Sequence, residues 1–192
     1  MIRIIAGRAK GRKLSAPDGL ETRPTGARVR QTLFDILAPR IEGARFLDLC
    51  AGAGGVGFEA LSRGAARVVL VDSGAPAILA LKTNAQTLAG AGGDVTILRQ
   101  DARRAVAALA DEGRRFDVIF LDPPYEGTLY EDVLDALAKS PLLADDGVIV
   151  AQHFKKRALP VTIAGLARTR AVRVGDHDLS FYGRAVASRP EA

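Results

Sequence analysis

The sequence predicts an α/β protein of Rossmann-like type, with a mostly parallel sheet covered by helices on both faces. Three observations carry that expectation. Five strand-like runs between residues 45 and 152 alternate with helical stretches. Most of these runs are apolar throughout, as strands buried on both faces are. A glycine-rich turn follows the first run directly, at the place where such sheets take their ligands.

In chain order, residues 2–6 (IRIIA) and 11–15 (GRKLS) read as two short strands of a hairpin, with Gly7 and Gly11 permitting tight turns. Residues 16–25 hold Pro17, Asp18, Gly19 and Pro24 and read as loop. Residues 27–38 place Val29, Leu33, Ile36 and Leu37 at helical spacing, and Pro39 is expected to stop that helix. Strand RFLDL (45–49) leads through the glycine turn into a helix ending near Leu61. Strand RVVLVD (67–72) precedes a helix at 76–88, and DVTILR (94–99) precedes one at 103–110. Strand FDVIFLD (116–122) precedes a loop and a helix at 130–138, and GVIVAQ (147–152) closes the alternation. RTRAVRVG (168–175) and DLSFYGRAV (178–186) read as an antiparallel hairpin at the sheet edge. The expected sheet is therefore seven-stranded, mostly parallel, with an antiparallel edge strand. The expected organisation is a basic N-terminal extension at 1–25, a hairpin and loop suited to RNA, ahead of one catalytic domain at 26–192.

Composition narrows the function. One Cys excludes a disulfide framework and a cysteine zinc site, and two His far apart offer no histidine metal centre, so no metal is expected. No apolar run reaches the ~20 residues that span a bilayer, and the N-terminus lacks a signal-peptide core. A cytoplasmic, monomeric protein without membrane attachment is expected. The net charge of +5 is unevenly placed. Residues 1–31 hold eight Lys/Arg (Arg3, Arg8, Lys10, Arg12, Lys13, Arg23, Arg28, Arg30) against two acids, while the remainder is close to neutral. A basic arm on a neutral body suits a polyanion such as RNA, because Lys/Arg contacts to phosphate release counterions. A solvated basic tail is the alternative. Since the first core strand starts only near Arg45, the arm at 1–24 is expected to be dispensable for folding, unless strands 2–6 and 11–15 pack on the core.

Gly52, Gly54 and Gly57 fit the spacing G-x-G-x-x-G between a strand and a helix, and Asp72 ends the next strand. Glycines let a backbone approach a ligand, and an acid after the second strand can hold two ribose hydroxyls. The pattern points to a nucleoside cofactor and fits a nicotinamide dinucleotide or S-adenosylmethionine. Asp48, inside the strand end, favours the second, because a carboxylate attracts a sulfonium and an ammonium and repels a pyrophosphate. Asp101 closes the third strand, where it can accept from an adenine amine; it also suits a helix N-cap, and both roles are compatible.

Asp122-Pro123-Pro124-Tyr125 follows the fourth core strand, at the carboxyl edge of the sheet. Two prolines stiffen the turn and remove two N–H donors, leaving acceptors. A carboxylate and a rigid carbonyl can accept both protons of an exocyclic amine and aim its nitrogen at an electrophilic methyl. Tyr125 is placed to stack on a base turned out of its helix.

FLDLCAGAGGVGFEALSRGA (46–65), the Asp-Pro-Pro-Tyr turn and RIIAGRAKGRKL…TRPTGARVRQTLFDIL (3–37) together resemble the bacterial 16S rRNA guanine-N2 methyltransferases of the RsmD family. The resemblance covers nearly the whole chain, and the N-terminal run is its more specific part. It implies the class I methyltransferase fold, S-adenosylmethionine as methyl donor, and a guanine of 16S rRNA, naked or in a partly assembled small subunit, as target. Carried over, Asp48, Gly52 and Gly54 would line the methionine end of the cofactor. Asp72 would hold the ribose, and Asp101 with Ala102 would meet the adenine. Asp122, Pro123 and Tyr125 would form the amine site. Arg8, Lys10, Arg12, Lys13, Arg23, Arg28 and Arg30 would meet the RNA. The chain departs from the family pattern at Cys50, where Phe is usual, and at Gly26, Ala27 and Gln31.

Other readings of the same residues are a DNA or protein amino-methyltransferase, an NAD-dependent oxidoreductase, and a catalytically silent RNA-binding module. Cys50 reads as a small packing residue rather than a nucleophile, and His153 as a polar residue at a strand end.

Overall fold

In the computed structural model, residues 2–16, 26–124 and 127–185 are described. Strands β1 (Ile2–Arg3) and β2 (Lys13–Leu14) pair antiparallel as the expected N-terminal hairpin. Helix α1 covers Ala27–Ile41. Then come β3 (Arg45–Leu49), α2 (Gly55–Ser62), β4 (Arg67–Asp72), α3 (Ala75–Thr87), β5 (Asp94–Arg99) and α4 (Ala102–Asp111). They are followed by β6 (Phe116–Leu121), α5 (Leu129–Lys139), β7 (Leu143–Phe154), β8 (Thr162–Ile163), β9 (Leu166–Val174) and β10 (His177–Arg184).

The large sheet runs β5-β4-β3-β6-β7-β10-β9-β8. Strands β5, β4, β3, β6 and β7 are parallel; β10 is antiparallel to both β7 and β9. The strand order reverses between β3 and β6, and in sheets of this kind ligands bind at the carboxyl ends of the strands at such a reversal. Period-two alternation along each strand supplies both faces. Phe46, Val68, Leu70, Val118 and Phe120 pack toward α1, α2 and α3. Leu47, Val69, Val71, Ile119 and Leu121 pack toward α4 and α5.

Two details differ from the seven-strand expectation. The two-residue β8 pairs with β9, giving eight strands. The antiparallel strand β10 lies inside the sheet, not at its edge, because it carries the apolar run: Leu179, Phe181 and Tyr182 are buried, while β9 is mostly half-buried or exposed. Pro39 does not stop α1 either. It lacks the N–H for one main-chain bond, but it stands in the last turn, and the helix continues until the buried Ile41 is seated.

The N-terminal hairpin is part of the core. Ile2, Ile4, Ala9 and Leu14 belong to the cluster that includes α1, α2 and α3. Three buried polar side chains serve its backbone. Glu59 Oε2 and Oε1 accept from the N–H groups of Ile5 (2.8 Å) and Ala6 (3.0 Å). Ser62 Oγ accepts from Ala9 N–H (2.9 Å) and donates to the Ala6 carbonyl (2.6 Å). Asn84 Oδ1 accepts from Ser15 N–H (2.8 Å), and its Nδ2 donates to the carbonyls of Ser15 and Ala53 (2.9 Å each). Gly7 has φ +81°, and any Cβ there would collide with the Ser62 carbonyl. Removing residues 2–16 would therefore empty core positions and take both main-chain donors from Glu59, leaving it only the Arg63 guanidinium at 2.8 Å. This packing reverses the expectation that the arm is dispensable for folding.

Candidate active site

The glycine turn and the end of β4 are tied together by main-chain amides donating to carboxylates. Asp72 Oδ2 accepts from Gly52 N–H and its Oδ1 from Gly74 N–H, each at 2.8 Å. Ala51 N–H donates to the Val71 carbonyl, so the turn continues the β3–β4 ladder (2.8 Å). Gly52 has φ +56° with open space where a Cβ would stand. Gly54, at φ +80°, caps α2, and a Cβ there would run into the Phe58 ring. Both glycines are thus required, the first by its backbone and the second also by packing.

Asp48 is 1% exposed on β3, and its Oδ2 accepts from Gly57 N–H (2.9 Å). Burial drives its carboxyl well above the ordinary range; the Gly57 bond opposes this, and the fields of Asp122 and Asp72 reinforce it. Asp101 behaves oppositely. It caps α4, accepting from the N–H groups of Arg103 (3.0 Å) and Arg104 (3.4 Å). The Arg103 guanidinium (3.2 Å), ahead of these main-chain bonds, holds its carboxyl below the usual range. The cap role is therefore met, and Ala102 follows as the buried first residue of α4.

Asp122 stands one residue past β6. Its Oδ2 accepts from Gln152 Nε2 at 2.9 Å. Tyr130 on α5 donates its hydroxyl to the Gln152 carbonyl (2.6 Å), with the Pro123 carbonyl at 3.4 Å. Arg157 lies over the Tyr130 ring at 4.8 Å and donates to the Gly127 carbonyl (2.8 Å) and Glu131 (2.6 Å). The turn is thus held from α5 and from the end of β7. Tyr125 lies outside the described residues.

Four of the expected residues converge. Asp72, Asp48, Asp122 and Asp101 all act on Cys50, whose thiol is pushed up first by burial and then by these four carboxylates. A thiol so held stays protonated and packs, with its backbone at φ +66°. The strand ends therefore carry a negative field from Asp72, Asp101 and Asp122, with Asp48 held toward its neutral form. His153 is buried, with Nε2 2.9 Å from Ser180 Oγ, and burial lowers its pKa; it does not face the crevice acids.

The basic residues divide. Lys10, Arg12 and Lys13 are exposed on the hairpin, and Arg28 is exposed on α1. Arg8 is exposed, with Glu42 at 3.7 Å. Arg23 lies outside the described residues. Arg30 departs from the expectation of an RNA contact: it is 3% exposed and donates to the Arg3 carbonyl (2.7 Å), tying α1 to the hairpin. The residues that sequence reasoning missed are Gln152, Tyr130 and Arg157 around the turn, and Glu59, Ser62 and Asn84 under the hairpin. Among the described residues no group of His, Cys, Asp and Glu is arranged to hold a metal. No helix among them is long and apolar enough to cross a membrane.

A family model described as Conserved hypothetical protein 95 matches residues 2–183. The protein YlbH of Bacillus subtilis (strain 168), provisionally named an rRNA methyltransferase, is 39% identical over 185 residues, covering 94% of this chain and 98% of its own. Ribosomal RNA small subunit methyltransferase D of Escherichia coli (strain K12) is 35% identical over 191 residues, covering 100% of this chain and 94% of its own. The solved structure of yhhF from Escherichia coli, described provisionally as a methyltransferase, superposes with a TM-score of 0.83 at 34% identity over 97% of this chain and 99% of that one.

Proposed function

This chain belongs to the Conserved hypothetical protein 95 family, the RsmD family of ribosomal RNA methyltransferases, and from that premise we propose that it transfers a methyl group from S-adenosylmethionine to the exocyclic N2 amine of a guanine in 16S ribosomal RNA. The observation that carries the reading is the placement of Asp48, Asp72, Asp101 and Asp122 at the carboxyl ends of four neighbouring strands, β3, β4, β5 and β6. Such a field suits a cofactor that is cationic at its reacting end and opposes a pyrophosphate, which disfavours the NAD reading.

When bound, S-adenosylmethionine supplies an electrophilic methyl on a positively charged sulfur. The chain's own residues do the rest. Asp48 and the glycine turn from Gly52 to Gly54 receive the methionine end. Asp72, already fixed by two main-chain amides, offers its remaining lone pairs to the ribose hydroxyls. Asp101 and Ala102 border the adenine. Asp122 and the Pro123 carbonyl accept from the guanine amine, whose lone pair is otherwise delocalised into the ring. Holding both N–H bonds aims the nitrogen at the methyl carbon and stabilises the charge it gains. These residues would hold donor and amine so that the methyl passes to nitrogen, with the donor's sulfur as the leaving group. The surplus amine proton leaves to Asp122 or to water. Tyr125 stacks on the extruded base, and Arg8, Lys10, Arg12, Lys13, Arg23 and Arg28 meet phosphates.

The test is tritiated-methyl transfer to 16S rRNA, to small subunits, to DNA and to protein in parallel, with the modified nucleotide mapped in rRNA from cells with and without the gene. The expected result is one N2-methylguanine that disappears with the gene. Label on DNA or protein alone would replace this reading with the corresponding amino-methyltransferase, and RNA binding without transfer would leave the silent binding module.

A further inference from the structure

Asp122 and Gln152 are brought together by strand register. Leu121 pairs with Ala151 across β6 and β7, so the next residue of each strand stands beside the other at the sheet's carboxyl edge. The Gln152 amide donates to Asp122 Oδ2 at 2.9 Å, and the Gln152 carbonyl is bound by the Tyr130 hydroxyl, which also reaches the Pro123 carbonyl. Gln152 therefore grips the turn with side chain and main chain together.

The amide's other end tells what the residue is for. Gln152 is 2% exposed, and among the described residues its buried Oε1 has no hydrogen-bond partner. A buried acceptor without a donor weakens a fold, and an apolar side chain of similar size would avoid that penalty. Rotating the amide would turn Oε1 toward the Asp122 carboxylate, setting acceptor against acceptor. Asp122 thus dictates the amide's orientation at the expense of stability, which is the pattern of a residue retained for function.

We propose that Gln152 is a positioning residue for methyl transfer: its amide fixes the plane of the Asp122 carboxylate and so the direction in which that carboxylate receives the substrate amine. The proposal rests on the reading of Asp122 as the amine acceptor. Gln152 sits behind Asp122 on the β7 side, while the glycine turn and Asp72 are held by their own amides on the β4 side. Loss of the grip therefore acts on the chemical step and not on cofactor binding. A carboxylate that loses this donor loses alignment at the reacting nitrogen, and misplacement of this order costs about 10–100-fold in rate.

The experiment measures kcat, KM for S-adenosylmethionine and thermal midpoint for Gln152→Leu, Gln152→Met and Asp122→Ala with 16S rRNA or small subunits as substrate. Leu and Met both remove the donor, and Met keeps the unbranched shape should Leu fail to fold. The expected result is kcat lowered about 10–100-fold in both, KM for the cofactor within threefold, and a thermal midpoint unchanged or raised. If Asp122→Ala abolishes turnover while both Gln152 variants keep the wild-type kcat, Gln152 has no positioning role. If kcat and thermal midpoint fall while cofactor KM rises, Gln152 is a structural residue, and the proposal fails equally. If Asp122→Ala itself leaves kcat intact, the amine-site reading has failed, a result distinct from either of these.

Discussion

On the β3–β4 side of the crevice the carboxylates are held by main-chain amides: Gly57 on Asp48, and Gly52 and Gly74 on Asp72. On the β6–β7 side Asp122 is held by a side chain, with Tyr130 and Arg157 bracing the turn from α5 and beyond β7. The two halves differ in what a mutation can reach. Main-chain donors survive every substitution that keeps the loop's path, so the first half is set by the glycines that shape that path. The second half depends on three particular side chains and is open to adjustment by single substitutions. The roles proposed above, donor binding for the first half and amine binding for the second, fit that difference.

The sharpest way to break the comparison is to exchange its signatures. Asp122→Ala should lower kcat about 10²–10³-fold, the usual loss for a group acting on charge in the transition state. Cofactor affinity, read by calorimetry, should stay within a few-fold. Asp72→Ala should do the reverse. It removes acceptors for ribose and releases Gly52 and Gly74 as well, so cofactor Kd should rise about 10–100-fold, roughly 1.5–3 kcal/mol. An Asp72→Ala protein that folds and binds the cofactor normally would remove Asp72 from the cofactor site. Equal losses in binding and turnover for Asp122→Ala would put both halves in one pocket.

The same contrast explains what the sequence could tell. The β3–β4 half was legible because its parts are spaced by the fold itself: the rest of the turn, one helix and one strand separate Gly52 from Asp72, and adjacent parallel strands bring the two ends together. The Asp122 turn was legible as a motif. Its support was not, because no local spacing rule joins residue 122 to 130, 152 and 157. Gln152 reads only as the last residue of an apolar strand until β7 is known to lie beside β6. Arg30 shows the opposite error. Counted as charge it belongs to the basic arm, yet it stands in helical register with Leu33, Phe34, Leu37 and Ile41, all buried, and that periodicity placed it inside. Under the hairpin, Glu59 and Ser62 sit one helical turn apart on α2 and face a backbone that sequence gives no reason to expect there. The interior place of β10 could have been read from its apolar run, Leu179, Phe181 and Tyr182, set against the arginine-rich β9.

A smaller effect is expected from the arm, and it tests whether the hairpin serves RNA as well as the core. Charge reversal at Arg8, Lys10, Arg12 and Lys13 leaves the buried positions Ile2, Ile4, Ala9 and Leu14 untouched. The fold and cofactor affinity should therefore persist. RNA affinity should fall, and the log–log salt slope should shrink by about 0.7–0.9 for each phosphate no longer neutralised, with about two to four phosphates involved. Unchanged methylation and an unchanged slope, measured by filter binding across salt concentrations, would make the hairpin purely structural. Deleting residues 2–16 cannot answer this question, because it removes core and charge together.

The smallest effect concerns Asp48, and its sign follows from burial. Its carboxyl is raised well above the ordinary range, first by desolvation and then by Asp122 and Asp72 against the Gly57 bond. The folded chain therefore keeps this proton at pH values where the unfolded chain has lost it. Its contribution to stability is present at acid pH and declines as pH rises from the ordinary carboxylate range through the raised value. A cation bound beside Asp48 favours the ionised form. Cofactor affinity should accordingly rise with pH over that same window, by at most about tenfold per pH unit for one proton. Binding should release protons, visible as a dependence of calorimetric heat on the buffer's ionisation enthalpy. Asp48→Asn retains the shape and an acceptor for Gly57 but cannot ionise, so both the pH slope and the proton release should disappear. If the slope persists in Asp48→Asn, another crevice carboxylate carries it, and Asp48 serves the glycine turn alone.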